Sequence, residues 1–444
     1  MPATHSDPAV HHELIEQLTS ARQKTDDLFA IVRPDSLYER PIAERHRIIF
    51  YIGHLEAFDW NLLHDQVLGL KSFHPEFDRL FAFGIDPVGG GLPTDQPSQW
   101  PPIEAVREYV RKIRFLLDEK LQDALSNSNS FGRDGFPLDT LLNVAIEHRL
   151  MHAETLAYML HQLPLDRKVP QIESPNPVTT PIDHRSIEIP PGPVTLGLPR
   201  GDAAFGWDNE YASHTVDVPA FAIDRYKVTN QQYLDFVTAG GYENRDLWSD
   251  DDWSWKSQQG ISHPAFWRRD GDQWLYRTMF NDVPLPLDWP VYVSQAEAKA
   301  YAQWVGKSLP TEAEWQRAAY STPNGGERSY PWGNEAPSSK FGNFDFARWN
   351  PVPLNAHPEG ESAFGVQGML GNGWEWTSTE FGPFPGFEPF PFYRGYSADF
   401  FDGRHFVMKG GSARTAASML RRTFRNWFQA HYQFIYTGFR CVTR

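Results

Sequence analysis

Apolar positions recur at three-and-four spacing through residues 11–34, 42–69, 102–125 and 137–162. That period lines one face of a helix and predicts four helices. Between the second and third the pattern lapses from about Gly69 to Pro101, across PVGGGLPTDQPSQWPP. A connection that long inside a compact unit tends to be functional, and four helices with one long crossover describe a bundle. Residues 166–193 are studded with prolines, carry little periodicity and predict an extended linker. From about 194 onward the chain turns to Gly, Trp, Pro and short β-prone runs, with helices predicted near 228–238 and 294–305. A third, at 311–320, starts at Pro310 and Thr311, with Glu314 completing a capping box. The pattern thus predicts an α+β protein of two domains, a helical one at 1–165 and a mixed one at 194–444, joined by the linker.

Composition agrees with two cores. At 444 residues the chain is too long for one, and 41% hydrophobic residues supply the apolar mass. The formal charge of -15 argues against a nucleic-acid partner, which needs clustered Lys and Arg. Cys441 is the one cysteine, so no internal disulfide forms, which fits a reducing compartment. No basic-then-apolar leader and no apolar run of about 18 residues is present, so the expectation is a cytoplasmic, soluble chain with no membrane partner.

The sharpest local signal is His148-Arg149-Leu150-Met151-His152 on the fourth predicted helix. Residues four apart share a helix face one turn apart, so both imidazoles can reach one ion. The pair alone does not single out a metal site; a third ligand must come from another helix. His54, in the apolar stretch FYIGHLEAFDW of the second helix, is the candidate, and by itself it reads equally as a core histidine. Three neutral imidazoles leave coordination positions open, as in facial-triad iron sites and in catalytic three-histidine zinc sites alike. Glu56 and Glu154 are either acceptors that orient the imidazoles or solvated helix-face charges. His11, His12, His64, His74 and His161 lack this mutual placement and read as surface residues.

The second half resembles the formylglycine-generating enzyme (sulfatase-modifying factor) fold, a variant of the C-type-lectin architecture. The resemblance rests on VTNQQYLDF at 228–236, WPVYVSQAEAKAYAQWVGKSLPTEAEWQRAAY at 289–320, YPWGNE at 330–335, GMLGNGWEWTST at 368–379, KGGS at 409–412 and GFR at 438–440. Formylglycine synthesis itself uses a cysteine pair after the GGS segment, where this chain has Thr415 and Leu420. A histidine-bearing, DinB-like four-helix bundle followed by this fold is similar to the ergothioneine-biosynthesis sulfoxide synthases, the ovothiol synthases and the selenoneine synthases. The resemblance implies Fe(II) on His54, His148 and His152, dioxygen as co-substrate, and hercynine, a trimethylated histidine betaine, as acceptor. It implies that Asn426 and Trp427 hold the acceptor's carboxylate and ammonium ends. It also implies that Tyr393 donates a proton or hydrogen atom while Tyr396 lines the acceptor pocket. Phe50, one turn before His54, should offer an aromatic face to the acceptor's fixed positive charge.

The departures from that family bear on the sulfur or selenium donor. Sulfoxide synthases that use γ-glutamylcysteine have Asp directly after the Asn-Trp pair and Arg four further on; here Phe428 and Tyr432 stand there. Their crossover carries arginines and that of another group a tyrosine pair, whereas this one reads GIDPVGGGLPTD, with Ile85 and Asp86 in the corresponding region. Met151 replaces a glutamine before the second helix-four histidine. Without those charged partners a doubly ionised thiol peptide would be desolvated at a cost, so a less charged donor is implied. Free cysteine and a selenosugar both qualify, and the aromatic surface of Phe428 and Tyr432 inclines the reading to the selenosugar and selenoneine. The competing classes are a zinc-dependent thiol transferase and a non-catalytic ligand-binding protein.

Overall fold

The computed structural model describes residues 8–82, 92–126, 132–173, 175, 177, 181–202 and 204–444. Ile85 and Asp86 of the crossover therefore lie outside the described residues. The chain divides into two compact units, Met1–Gln171 and Ile172–Arg444.

In the first unit the helices are α1 (Pro8–Ala30), α2 (Ile48–Leu63), α3 (Pro75–Leu80), α4 (Ile103–Ser126) and α5 (Leu138–His161). Helix α1 lies along α5, and α2 is flanked by α4 and α5. Helix α1 stops short of residue 34 because Pro34 holds Arg33 extended, at φ -64 and ψ 142. Helix α2 starts at Ile48 rather than 42, after an extended Arg47 whose Nε donates to Asp95 of the crossover at 2.9 Å. The predicted crossover is not structureless. Pro75 at its first position and a side-chain cap from His74 start the short α3 within it. A two-residue pairing of β1 (Gly132–Arg133) with β2 (Phe136–Pro137) leads into α5.

The second unit is built from β3 (Ser186–Ile189), β4 (Gly192–Leu196), β5 (His214–Val218), β6 (Phe221–Asp224), α6 (Asn230–Thr238) and α7 (Asp250–Gln259). The chain continues through β7 (Trp267–Asp270), β8 (Gln273–Arg277), β9 (Asp282–Pro284), α8 (Gln295–Trp304) and α9 (Glu312–Tyr320). It ends with β10 (Trp374–Glu380), β11 (His405–Lys409), β12 (Asn426–Gln429), β13 (Thr437–Gly438) and β14 (Val442–Thr443). The sheets run β12-β11-β10-β13, β14-β6-β3, β4-β5 and β7-β8-β9. A core around Trp315, Val366, Met369, Leu420 and Val442 fills the space beside α9. Strands β3 and β4 take up the last part of the stretch read as linker, so residues 186–189 and 192–193 belong to the sheets of this unit. Helix α9 begins as its spacing predicts: Thr311 accepts from the Glu314 backbone, and Glu314 reaches back to the Thr311 N–H. Helix α7 was not legible, because DDDWSWKSQQ buries only Asp252 and Lys256 and shows no apolar stripe. No helix among the described residues is long and apolar enough to cross a membrane.

Candidate functional site

Helix α2, IIFYIGHLEAFDWNLL, is apolar on nearly every face and is buried along most of its length. Helix α5 is equally enclosed, from Leu138 to His161. A histidine on either one enters a dry interior. His54, His148 and His152 are each no more than 3% exposed, and they offer one ring nitrogen apiece within 4.8 Å of one another. The Nε2 atoms of His54 and His152 face each other at 3.2 Å. Nδ1 of His54 lies 2.7 Å from the carbonyl oxygen of Phe81, to which it donates, so its Nε2 keeps a lone pair.

Burial lowers all three imidazole pKa values. That of His54 falls to about 4, and those of His148 and His152 fall well below the ordinary range, with the neighbouring histidines and Arg149 adding to the effect. The rings are therefore neutral at physiological pH, the state in which imidazole binds metals. Two nitrogens bound to one ion at about 2.1 Å and subtending about 90–109° stand roughly 3.0–3.4 Å apart. The observed 3.2 Å fits that chord. The donor set suits a divalent transition ion such as iron or zinc and does not suit calcium or magnesium.

Aromatic rings brace the imidazoles. Phe50 stacks on His54 at 4.8 Å, and Phe58 stacks on His148 at 3.4 Å with 10° between the planes. His46 continues the Phe50 stack at 4.1 Å. Met151, between the two α5 histidines, is half-buried. Phe58 was missed in the sequence, although it stands four residues after His54 and so shares its face. Glu56 proves neither solvated nor directed at an imidazole. Burial would raise its pKa, but Arg149, Arg114 and Arg22 outweigh that and bring it to about 2. Glu154 is half-buried. His11 and His161 are 7% and 1% exposed, so the surface reading is corrected for both: each sits on the inward face of its helix.

In the second unit the predicted residues form two groups. Tyr396 lies flat on Trp207 at 4.0 Å and edge-on to Trp427 at 5.4 Å, and Tyr393 is 5.5 Å from Tyr396. Trp427 in turn stacks on Phe381 at 4.1 Å. Phe428, next along β12, points to the other face, where it stacks with Tyr432 at 5.2 Å. The Asn426 side chain accepts from the Trp427 N–H at 2.9 Å. Burial and the nearby Asp208 charge push the Tyr393 phenol up to about 12, so it holds its proton at neutral pH. Asp208 is itself raised to about 6, by burial that outweighs hydrogen bonds from Ser397, Phe390 and Asn209. Ser397 follows Tyr396 and donates to Asp208 while accepting from Asn209 Nδ2 at 3.0 Å, which fastens the tyrosine-bearing turn to residues 207–209.

Residues 172–444 match the sulfatase-modifying factor enzyme 1-like domain family. Over nearly the whole chain the protein is similar to a hercynine oxygenase of Mycolicibacterium thermoresistibile, at 40% identity over 97% of this chain and 95% of that one. It is 33% identical to the hercynine oxygenase of Mycolicibacterium smegmatis, over 95% of this chain and 98% of the relative. Ergothioneine biosynthesis protein 1 of Neurospora crassa is 28% identical over 92% of this chain and 55% of its own length. With a helical first half, a sulfatase-modifying-factor second half and this similarity from end to end, the chain belongs to the hercynine oxygenase family of enzymes.

Proposed function

We propose that this enzyme uses Fe(II) and dioxygen to form a carbon–chalcogen bond at imidazole C2 of hercynine. The observation that carries the proposal is the convergence of three buried, neutral imidazoles from α2 and α5. His54, His148 and His152 would hold the iron, which when bound supplies dioxygen activation and a common attachment point for the reactants. The chain supplies the rest. The Phe81 carbonyl and the Phe50 and Phe58 rings orient the imidazoles. Trp427 offers a face to the trimethylammonium group, worth about 0.5–2 kcal/mol, and Asn426 receives the carboxylate. Tyr393, which keeps its proton at neutral pH, is the proton donor, and Tyr396 on its Trp207 platform lines the acceptor pocket.

For the donor, the stacked Phe428–Tyr432 pair provides a flat apolar surface with no charge of its own. Such a surface suits a sugar ring or a small thiol better than a multiply ionised peptide. We assign the selenosugar first, its selenium bonding to imidazole C2 and its sugar–selenium bond then breaking to give selenoneine, and free cysteine, giving the hercynine sulfoxide, as the second donor. Mass spectrometry of aerobic reactions of the Fe(II)-loaded enzyme with hercynine and, in parallel, a selenosugar, cysteine and γ-glutamylcysteine tests both levels. Selenoneine from the selenosugar arm is expected. Product from γ-glutamylcysteine alone would overturn the donor assignment, and turnover without oxygen would replace the reaction with a metal-thiolate transfer.

A further inference from the structure

We infer that Arg149 is a positioning residue for the metal centre, setting the register between the two helices that carry its ligands. The inference rests on the reading of the three histidines as ligands. Arg149 stands between His148 and His152 in sequence and is wholly buried. Its guanidinium leaves the α5 surface and grips one full turn of α2. Nη2 donates to the Leu55 carbonyl oxygen at 3.0 Å and to Asp59 Oδ2 at 2.6 Å, and Nη1 donates to Glu56 Oε1 at 3.0 Å. Nη1 also reaches Thr25 Oγ1 on α1 at 3.4 Å.

Leu55 directly follows His54, so the fork holds α2 at the level where it presents its ligand. A slip of one residue between helices is about 1.5 Å along the axis and 100° around it. Either displacement would destroy the 3.2 Å approach of His54 to His152. Apolar ridges alone tolerate neighbouring registers, whereas a planar fork with three acceptors on one turn accepts a single one. Buried ion networks are often a source of specificity more than of stability. Glu56 does not depend on Arg149 alone, since Arg114 Nε and Nη2 donate to it at 2.8 and 2.7 Å. Asp59 is the acceptor that Arg149 chiefly serves.

The test separates positioning from folding. Replacing Arg149→Met together with Asp59→Asn removes one charge of each sign, and Arg149→Lys keeps the charge but loses the fork. Each full-length variant, freed of metal, is titrated with Co(II) against a competing chelator while its visible absorption is recorded, and thermal unfolding is followed in parallel. Expected are Co(II) affinity weakened about tenfold and altered absorption bands in both variants, beyond any change in unfolding temperature. Wild-type affinity and bands in Arg149→Lys, or in the double variant where it folds, overturn the inference. His152→Ala is the third arm: wild-type Co(II) binding there would sink the ligand reading itself, while lost binding there with intact binding in the Arg149 variants overturns only the positioning role.

Discussion

Phe81 lays its ring over Gly53 while its carbonyl oxygen accepts from Nδ1 of His54 at 2.7 Å. The two contacts make one device. A Cβ on Gly53 would stand 2.5–2.6 Å from three carbons of the Phe81 ring, so only glycine lets the end of α3 come close enough to hold the imidazole. Gly53→Ala gains about 1 kcal/mol of helix propensity but faces an overpacking cost of about 1–3 kcal/mol. The variant is expected to unfold at a lower temperature and to bind metal more weakly, because Phe81 must withdraw its carbonyl. Chelator competition and thermal unfolding measure both. A higher unfolding temperature with unchanged metal affinity would mean that Phe81 gives way freely.

Tyr393→Phe removes one hydroxyl from a ring that lies 5.5 Å from Tyr396. If that phenol is the proton donor, product formation falls by about 100-fold or more, the scale of a lost general acid. Bound metal should stay stoichiometric, since no ligand has changed. Metal content and product yield, measured on the same preparation, give the answer; full turnover returns Tyr393 to packing.

How far these elements were legible depends on the range of the interaction. Helices α4 and α5 announce themselves by their spacing, and His148 and His152 by their separation of four. The helix ends were misjudged where a tertiary tie intervened, as at Arg47, whose bonds to Asp95 span 48 residues. Helix α7 was missed because its stabilisers are a serine cap and two buried polar side chains, which leave no apolar period. The partner of the Tyr396 turn was beyond any local pattern, since Ser397 and Asp208 are 189 residues apart. Arg149 was in plain view between two histidines. A charged residue inside an apolar helix needs partners, and Glu56 and Asp59, three apart on the histidine-bearing α2, were the signal that could have supplied them.

Asp208 gives a pH dependence of definite sign. Its folded pKa of about 6 lies above the ordinary value of 3.8, so the folded state binds the proton more tightly than the unfolded chain. Its contribution to stability is therefore greatest below about pH 4, declines as pH rises through the window from 3.8 to about 6, and is flat above. The full swing is on the order of 3 kcal/mol. Asp208→Asn retains an acceptor for Ser397 and does not ionise. Relative to wild type it should gain stability between pH 4 and pH 7, a difference read from urea unfolding at the two values. A constant difference would mean that Asp208 titrates normally.

The proposed donor role of Phe428 and Tyr432 can be tested by a switch of charge. Phe428 pairs with Phe406 across β11 and stacks on Tyr432, whose backbone N–H donates to the Gln429 carbonyl in the intervening turn. With ring centroids 5.2 Å apart, side chains at the two positions are close enough for a carboxylate and a guanidinium to pair. Phe428→Asp with Tyr432→Arg installs the charges that γ-glutamylcysteine-using relatives are expected to carry. The double variant should shift the ratio of kcat/KM toward γ-glutamylcysteine by about tenfold or more over the selenosugar or cysteine. Phe428→Asp alone should be poorer with every donor, because an unpaired polar group in a half-buried site costs about 1–3 kcal/mol. Competition between donors in one reaction, read by mass spectrometry, measures the ratio directly. If single and double variants keep the wild-type donor preference, Phe428 and Tyr432 do not face the donor, and selectivity must be sought on other residues.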